Sequence, residues 1–124
     1  MYIKRHIDNY LLDWKNATNR KPLLVRGARQ VGKTTAVKHL GEQFNYFIEA
    51  NFEKQKDLKL LFEKGLPIKE VANRIGVLFD TPIVPGETLL FLDDIQVCHE
   101  AIHSLWLFKE DYPELHVVAA GSLL

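Results

Sequence analysis

The chain has 124 residues, of which 47% are hydrophobic and 26% charged, so it can bury a core as a single soluble globular domain. Its 16 basic and 16 acidic residues cancel, which does not favour a strongly basic nucleic-acid binder, and its one cysteine, Cys98, excludes an intrachain disulfide. The charged N-terminal stretch does not resemble a signal peptide and no segment is apolar enough to span a membrane, so we expect a cytoplasmic protein with no membrane partner.

Helical and strand patterns alternate along the chain. Five apolar residues at helical spacing predict an amphipathic helix over 3–16, namely Ile3, Ile7, Tyr10, Leu11 and Trp14. After a polar loop, the predicted elements are a strand at 23–26, a helix at 32–43, a strand at 46–52, helices at 54–64 and 67–79, a strand at 88–93, a helix at 98–110 and a strand at 116–120. We therefore expect an N-terminal helix and linker over 1–20 and an α/β domain over 21–124.

Alternating strands and helices are typical of a parallel sheet that is covered by helices on both faces. Right-handed crossovers bring the carboxyl ends of all parallel strands to one edge of the sheet, where ligands of open α/β sheets bind. Gly27, Asp93 and Ser122 all lie at or just beyond such ends. The pattern predicts a three-layer α/β fold with its functional site at that edge.

The stretch GARQVGKTT connects the first predicted strand to a helix. Glycines let the backbone curl so that successive N–H groups point at one anion, and the helix directs the positive end of its dipole at the same point. The spacing of Gly27, Gly32, Lys33 and Thr34 is that of a phosphate-binding loop, which favours this function over a glycine-rich turn without a ligand. We expect the whole loop to bind nucleotide, that is Gly27, Ala28, Arg29, Gln30, Val31, Gly32, Lys33, Thr34 and Thr35.

The chemistry of the loop assigns different roles to its side chains. Lys33 is expected to reach the β- and γ-phosphates, while the Thr34 hydroxyl is expected to bind Mg²⁺. Thr35 is placed to contact the α-phosphate. Arg29 either helps to hold phosphate oxygens or is a surface residue, and the sequence leaves both interpretations open.

Two aspartates follow the apolar run LLFL of the third predicted strand. Asp93 ends a buried strand at the sheet edge, where its carboxylate can hold the water shell of Mg²⁺. Asp94 comes directly after it and is interpreted as a general base that activates a water molecule. The alternative for Asp94 is an N-cap of the helix that begins near Gln96.

Four stretches carry a resemblance to a known family: KPLLVRGARQVGKTT, IEANFEK, ETLLFLDDIQ and HVVAAGSLL. In order and spacing, the chain resembles the AAA+-type ATPases of the P-loop NTPase superfamily, and more narrowly a largely uncharacterised prokaryotic group. The resemblance implies ATP as the nucleotide, Walker A residues at 27–35 and a Walker B strand that ends at Asp93. It also implies a sensor that meets the γ-phosphate; Ser122 matches it, with a turn residue after Gly121 as the alternative.

Two departures from the family pattern bear on activity. The group usually has glutamate where this chain has Asp94, whose side chain is one methylene shorter, about 1.5 Å, so hydrolysis is expected to be slowed. The fifth strand, arginine-finger region, helical lid and second sensor of the family have no counterpart here, so we expect a fragment truncated after the fourth strand. The strand at 23–26 would then be an exposed sheet edge that favours self-association.

These patterns lead to two functional hypotheses. The first is an ATP- and Mg²⁺-binding module of an AAA+-like ATPase with weak turnover. The second is a module that contacts an as yet unknown protein or nucleic acid in a nucleotide-dependent way, without significant turnover. A small-molecule kinase is disfavoured by Asp94, and a zinc site at His99 and His103 is disfavoured because no fourth ligand is evident.

Overall fold

The chain was analysed as a computed structural model, which describes residues 6–26 and 31–122. Its α-helices are α1 (His6–Asn16), α2 (Val31–Gly41), α3 (Asp57–Glu63), α4 (Ile68–Leu78) and α5 (His99–Asp111). Its strands are β1 (Leu23–Arg26), β2 (Tyr46–Asn51), β3 (Thr88–Asp93) and β4 (His116–Gly121). A short 3₁₀ helix at Ile95–Val97 connects β3 to α5.

The four strands form one parallel sheet with the order β1-β4-β3-β2. Leu23 pairs with Val118, Leu90 pairs with Val117, and Ile48 pairs with Leu90. All four carboxyl ends therefore lie at the same edge of the sheet, as predicted. Within the described residues, β1 is one edge of the sheet and has β4 as its neighbour.

Side chains of β3 alternate between two hydrophobic clusters, one on each face of the sheet. Leu89 and Phe91 pack with residues of α1 and α2, whereas Leu90 and Leu92 pack with residues of α3, α4 and α5. This period of two is what a strand buried on both faces requires. The predicted three-layer α/β fold is confirmed.

The helix boundaries differ from the predicted ones for local reasons. α3 begins at Asp57 instead of residue 54, because the Asn51 side-chain oxygen accepts hydrogen bonds from the backbone N–H groups of Glu53 and Lys54 and forms a turn there. Pro67 is extended, with φ −54° and ψ 143°, so α4 begins one residue later than predicted. Among the described helices, the longest has 13 residues and none is long and apolar enough to cross a membrane.

Candidate functional site

The predicted site residues that the structure describes lie at the carboxyl edge of the sheet. Asp93 ends β3 and is paired with Asn51 at the end of β2. Gly121 ends β4 and is paired with the last residue of β1, so Ser122 follows the strand that lies between β1 and β3. The carboxyl ends of β1 and β3 therefore flank the end of β4.

The predicted phosphate-binding loop lies mostly outside the described residues. Gly27, Ala28, Arg29 and Gln30 fall in the gap, and of Val31, Gly32 and Lys33 only the backbone is described. The backbone of α2 begins at Val31, directly after this gap, and leads from the carboxyl end of β1. In its first turns, the Thr34 residue is half-buried and the Thr35 residue is exposed.

Asp93 is a half-buried carboxylate whose two oxygens have different donors. Its Oδ1 accepts a hydrogen bond from the Asp94 backbone N–H at 2.9 Å, while its Oδ2 lies 3.4 Å from Asn51 Nδ2. Burial raises the pKa of the Asp93 carboxyl above its ordinary value, and the negative charge of Asp94 raises it further. A cation bound here would relieve both effects.

Asp94 combines a buried carboxylate with a left-handed backbone. The residue is 8% exposed and has φ 54° and ψ 42°, a region that few residues other than glycine adopt and that costs about 1–2 kcal/mol. Its Oδ2 accepts a hydrogen bond of 2.9 Å from Asn51 Nδ2. Asp94 occupies the N-cap position of the 3₁₀ helix that follows, as the alternative interpretation expected, but its side chain makes no capping bond to that helix.

Asn51 is the central polar residue of this edge, and the sequence analysis gave it no role. Its amide nitrogen donates to Asp94 and approaches Asp93, while its amide oxygen accepts from the backbone N–H groups of Glu53 and Lys54 at 2.9 and 3.0 Å. Since the oxygen is engaged by the turn, the nitrogen is directed at the two acids. The sequence could have indicated Asn51, because the strand YFIEAN ends in a polar residue in the same way as the strand that ends at Asp93.

One further polar atom near the acids has no partner within the described part of the chain. The side-chain oxygen of Gln96 is buried and accepts no hydrogen bond there. Buried acceptors are normally satisfied by protein, water or a ligand. Gln96 follows Asp94 by two residues in the chain. It therefore lies at the same edge of the sheet as the two acids.

The donor set suits a hydrated hard cation better than a metal held by the protein alone. Across the described ranges, no group of three or more His, Cys, Asp or Glu side chains could hold a metal ion, and His99 and His103 are exposed. Mg²⁺ commonly keeps several waters and takes one or two protein oxygens together with substrate phosphates. A single carboxylate at Asp93 and a hydroxyl at Thr34 fit that chemistry.

A comparison with models of protein families gives a match over most of the chain. The model of a family described as an AAA domain matches residues 19–124, which includes the loop after β1, both acids and the end of β4. A comparison with curated proteins finds no match.

Proposed function

The chain belongs to this family of AAA domains, AAA-type P-loop ATPase-like proteins, and from that premise we propose that it binds ATP together with Mg²⁺ at the carboxyl edge of its sheet. The observation that carries the proposal is the convergence of Asp93, Asp94 and Asn51 at the edge from which β1 leads into the loop and α2. ATP-type nucleotide binding follows from the family, whereas the individual contacts below are proposals.

The phosphates are held by the loop after β1 and the start of α2. Backbone N–H groups of 27–33 and the N-terminal dipole of the 11-residue helix α2 attract the negative charge. The Lys33 ammonium adds a positive charge at the β- and γ-phosphates, and Thr35 contacts the α-phosphate. Mg²⁺ would neutralise the phosphates and favour phosphoryl transfer; Thr34 would bind it directly and Asp93 through its water shell.

Asp94, Asn51 and Ser122 act on the attacking water. The Asp94 carboxylate accepts its proton, as a general base in hydrogen-bond reach must. Asn51 positions this carboxylate through the bond of 2.9 Å between its Nδ2 and Asp94 Oδ2. Ser122 follows the end of β4 and contacts the γ-phosphate. It therefore acts as a sensor that distinguishes the nucleotide with a γ-phosphate from the nucleotide without one.

A second candidate function is a nucleotide-dependent interaction module with little turnover. It is favoured by the buried, hydrogen-bonded state of the Asp94 carboxylate. A carboxylate that is buried and already accepts a hydrogen bond is less accessible to an attacking water, which would make proton transfer slow. In this case nucleotide binding would change the surface that meets a protein or nucleic-acid partner.

The deciding experiment is a calorimetric titration with ATP and Mg²⁺, with phosphate release measured on the same samples. The parent chain is expected to bind, and Lys33→Ala is expected to lose binding by about a hundredfold, because a charge-assisted contact to phosphate is removed. Lys38→Ala is the matched control. This lysine lies on the same helix, but it is exposed and lies 3.7 Å from Glu49.

The two measurements separate the candidate functions. Binding with phosphate release that is lost in Asp94→Asn supports the ATPase, whereas binding without release supports the interaction module. Equal binding by Lys33→Ala and the parent would contradict both, because the loop would then not be the phosphate site.

A further inference from the structure

The helix α1 is held less firmly than the strand that it contacts. Two residues of α1, Asp8 and Leu11, are buried, and the helix packs on α2 through one hydrophobic cluster. It precedes the region that the family model matches, residues 19–124. The strand β4, in contrast, is fully buried at 117–119 and pairs with both β1 and β3. A disturbance at the contact between α1 and β4 therefore displaces α1 before it displaces the strand.

The His116 ring forms that contact, between the carboxyl end of α1 and the first residue of β4. Its Nε2 lies 2.9 Å from the Lys15 carbonyl oxygen, which can only accept, so Nε2 carries the hydrogen. The ring packs against Trp14 of α1 and Phe44 of the turn after α2, with centroids 5.4 and 4.9 Å away. His116 is 6% exposed. In the neutral ring the lone pair is therefore on Nδ1.

This environment does not accommodate a second ring proton. Nδ1 is buried and has no partner among the described residues, so a proton there would be a buried donor without an acceptor. The described charged groups that act on the ring are Lys15 and Arg20, both positive. These cations already lie over the neighbouring aromatic rings, Lys15 Nζ 5.1 Å from the Phe44 centroid and Arg20 Cζ 5.9 Å from the Trp14 centroid. Burial, helped by the two charges, lowers the pKa of His116.

Arg20 attaches the linker after α1 to the turn before β4. Its Nη2 donates to the backbone carbonyls of Pro113 and Glu114 at 3.3 and 3.1 Å. An arginine side chain stays protonated and backbone carbonyls do not titrate, so this attachment does not depend on pH. When α1 moves, the linker stays in place at Arg20, and residues 17–19 form the hinge.

We propose that His116 is a pH-sensitive switch: protonation of its ring releases α1 while the α/β domain stays folded. In the released state water supplies the acceptor that Nδ1–H lacks inside the protein. An isolated helix of 11 residues is marginal in water, so α1 frays once it is released. Release also uncovers the apolar residues of α2 that pack with α1, namely Ala36, Val37 and Leu40.

The direction of the pH dependence follows from the lowered pKa of His116. Above the ordinary histidine pKa of about 6.5 the ring is neutral in both states, so docking of α1 does not change with pH. Below this value the released ring binds a proton more tightly than the docked ring. Docking therefore weakens by up to about tenfold for each pH unit, until the docked ring is protonated as well.

Other titratable groups near α1 are separated from His116 by variants. Asp8 of α1 and His39 of α2 line a cavity between these two helices, His6 is exposed at the start of α1, and Glu114 is exposed in the turn before β4. The double variant His6→Gln/His39→Gln removes the other two histidines near α1 and is the matched control. Every variant keeps Asp8 and Glu114, so an effect of either carboxylate survives in His116→Gln.

The first experiment follows backbone amide exchange of the parent chain by NMR at about pH 7.5 and about pH 5.5. After correction for the intrinsic exchange rates, protection at 6–16 is expected to fall by about tenfold or more, because α1 is released, whereas protection at 117–119 is retained. The His116 ring, followed in the same samples, is expected to titrate over the pH range in which α1 loses protection.

The second experiment follows the fluorescence of Trp14. The chain has two tryptophans, and Trp106 is 55% exposed, so a Trp106→Phe background leaves Trp14 as the single reporter of α1. Its emission is expected to shift to longer wavelength below about pH 6.5. His116→Gln is expected to abolish this shift, because the glutamine amide can donate to the Lys15 carbonyl but takes up no proton. The double variant is expected to keep the shift.

Loss of protection at 6–16 and 117–119 at the same pH would overturn the proposal, since the whole domain would then unfold. A Trp14 shift that survives His116→Gln would also overturn it, as would protonation of His116 while α1 keeps its protection. Amide exchange of the parent chain needs no variant, so it decides the question even if His116→Gln does not fold.

Discussion

At the residue scale, Asn51 is the contact that joins the turn after β2 to both acids after β3. Its side chain is part of a residue that is 7% exposed, and each of its two amide atoms is hydrogen-bonded. A buried amide with satisfied donors and acceptors holds one orientation. The position of the Asp94 carboxylate therefore depends on Asn51, through the hydrogen bond between Asn51 Nδ2 and Asp94 Oδ2.

Replacement of Asn51 by alanine is expected to destabilise the chain by about 1–3 kcal/mol, because Asp94 then loses a donor in a buried setting. The matched control is Asn45→Ala, which removes a similar amide bond to Glu87, but between exposed residues. The control is expected to cost less than about 1 kcal/mol. Urea unfolding of both variants measures the difference, and equal costs would contradict a positioning role for Asn51.

Asp93 is expected to destabilise the ligand-free protein at neutral pH, because its pKa is raised in the folded state. Because the folded pKa is raised, the folded state holds the proton more tightly than the unfolded chain, so stability falls as the pH rises from the ordinary aspartate pKa through the folded one. Asp93→Asn is therefore expected to raise the melting temperature by a few degrees at pH 7, and to remove the stabilisation by Mg²⁺ and ATP.

The control for this change is Asp80→Asn, which makes the same substitution at an exposed aspartate. Thermal melting of both variants at acidic and neutral pH, with and without Mg²⁺–ATP, measures both effects. A lower melting temperature of ligand-free Asp93→Asn at pH 7 would show that the carboxylate is stabilising and that the assigned cause is wrong.

The sequence predicts the acids because they follow an apolar strand, whereas the sensor position is implied by the family resemblance; the expected roles of all three residues remain predictions. Asn51 could not be predicted from the sequence, because its contacts depend on the pairing register of β2 and β3. That register places Asn51 opposite Asp93, which lies far away in the chain. Residue types alone do not reveal such pairs.

At the scale of the elements, the position of α4 depends on one glycine. Gly76 lies where the turn after the helix folds back: a Cβ on it would approach the Thr81 carbonyl oxygen to 2.8 Å and an Ile83 side-chain carbon to 2.9 Å. The Thr81 backbone N–H also donates to the Gly76 carbonyl at 2.9 Å. The connection from α4 to β3 therefore packs directly on the helix backbone.

Gly76→Ala tests this close approach. Alanine is favoured over glycine inside a helix by about 1 kcal/mol, but the clash with backbone atoms costs more, so we expect a net loss of about 1–2 kcal/mol. The neighbouring Val77 is 82% exposed, and Val77→Ala is expected to change stability by less than about 0.5 kcal/mol. Chemical unfolding of both variants measures the two effects, and a stabilised Gly76→Ala would show that the turn moves aside.

The existence and type of every predicted element are correct, whereas several ends are displaced. The strands could be predicted because their residues are continuously apolar, and in β3 these residues alternate between the two faces of the sheet. The start of α3 could not be predicted, because it depends on the Asn51 side chain competing for backbone N–H groups that would otherwise begin the helix. Helix ends are set by such individual hydrogen bonds and not by periodicity.

At the scale of the whole molecule, the edge strand β1 predicts self-association. In the described part of the chain β1 pairs with β4, and its other side presents backbone groups that can pair with a second copy. Light scattering is expected to show a mass that rises with concentration. Amide exchange is then expected to slow at 23–26 but not at the opposite edge strand, 46–51, and a monodisperse monomer at high concentration would contradict the prediction.

The strand order also determines when the phosphate loop can form during folding. Leu23 of β1 pairs with Val118 of β4, so most of the chain separates the two partners, whereas β3 pairs with β4 and β2 pairs with β3 over shorter separations. Closing the longest loop costs the most chain entropy, which places β1 docking late. On a ribosome, β1 is therefore synthesised before β4 but cannot pair until β4 has emerged, so the proposed nucleotide site would be completed by one of the last steps of folding.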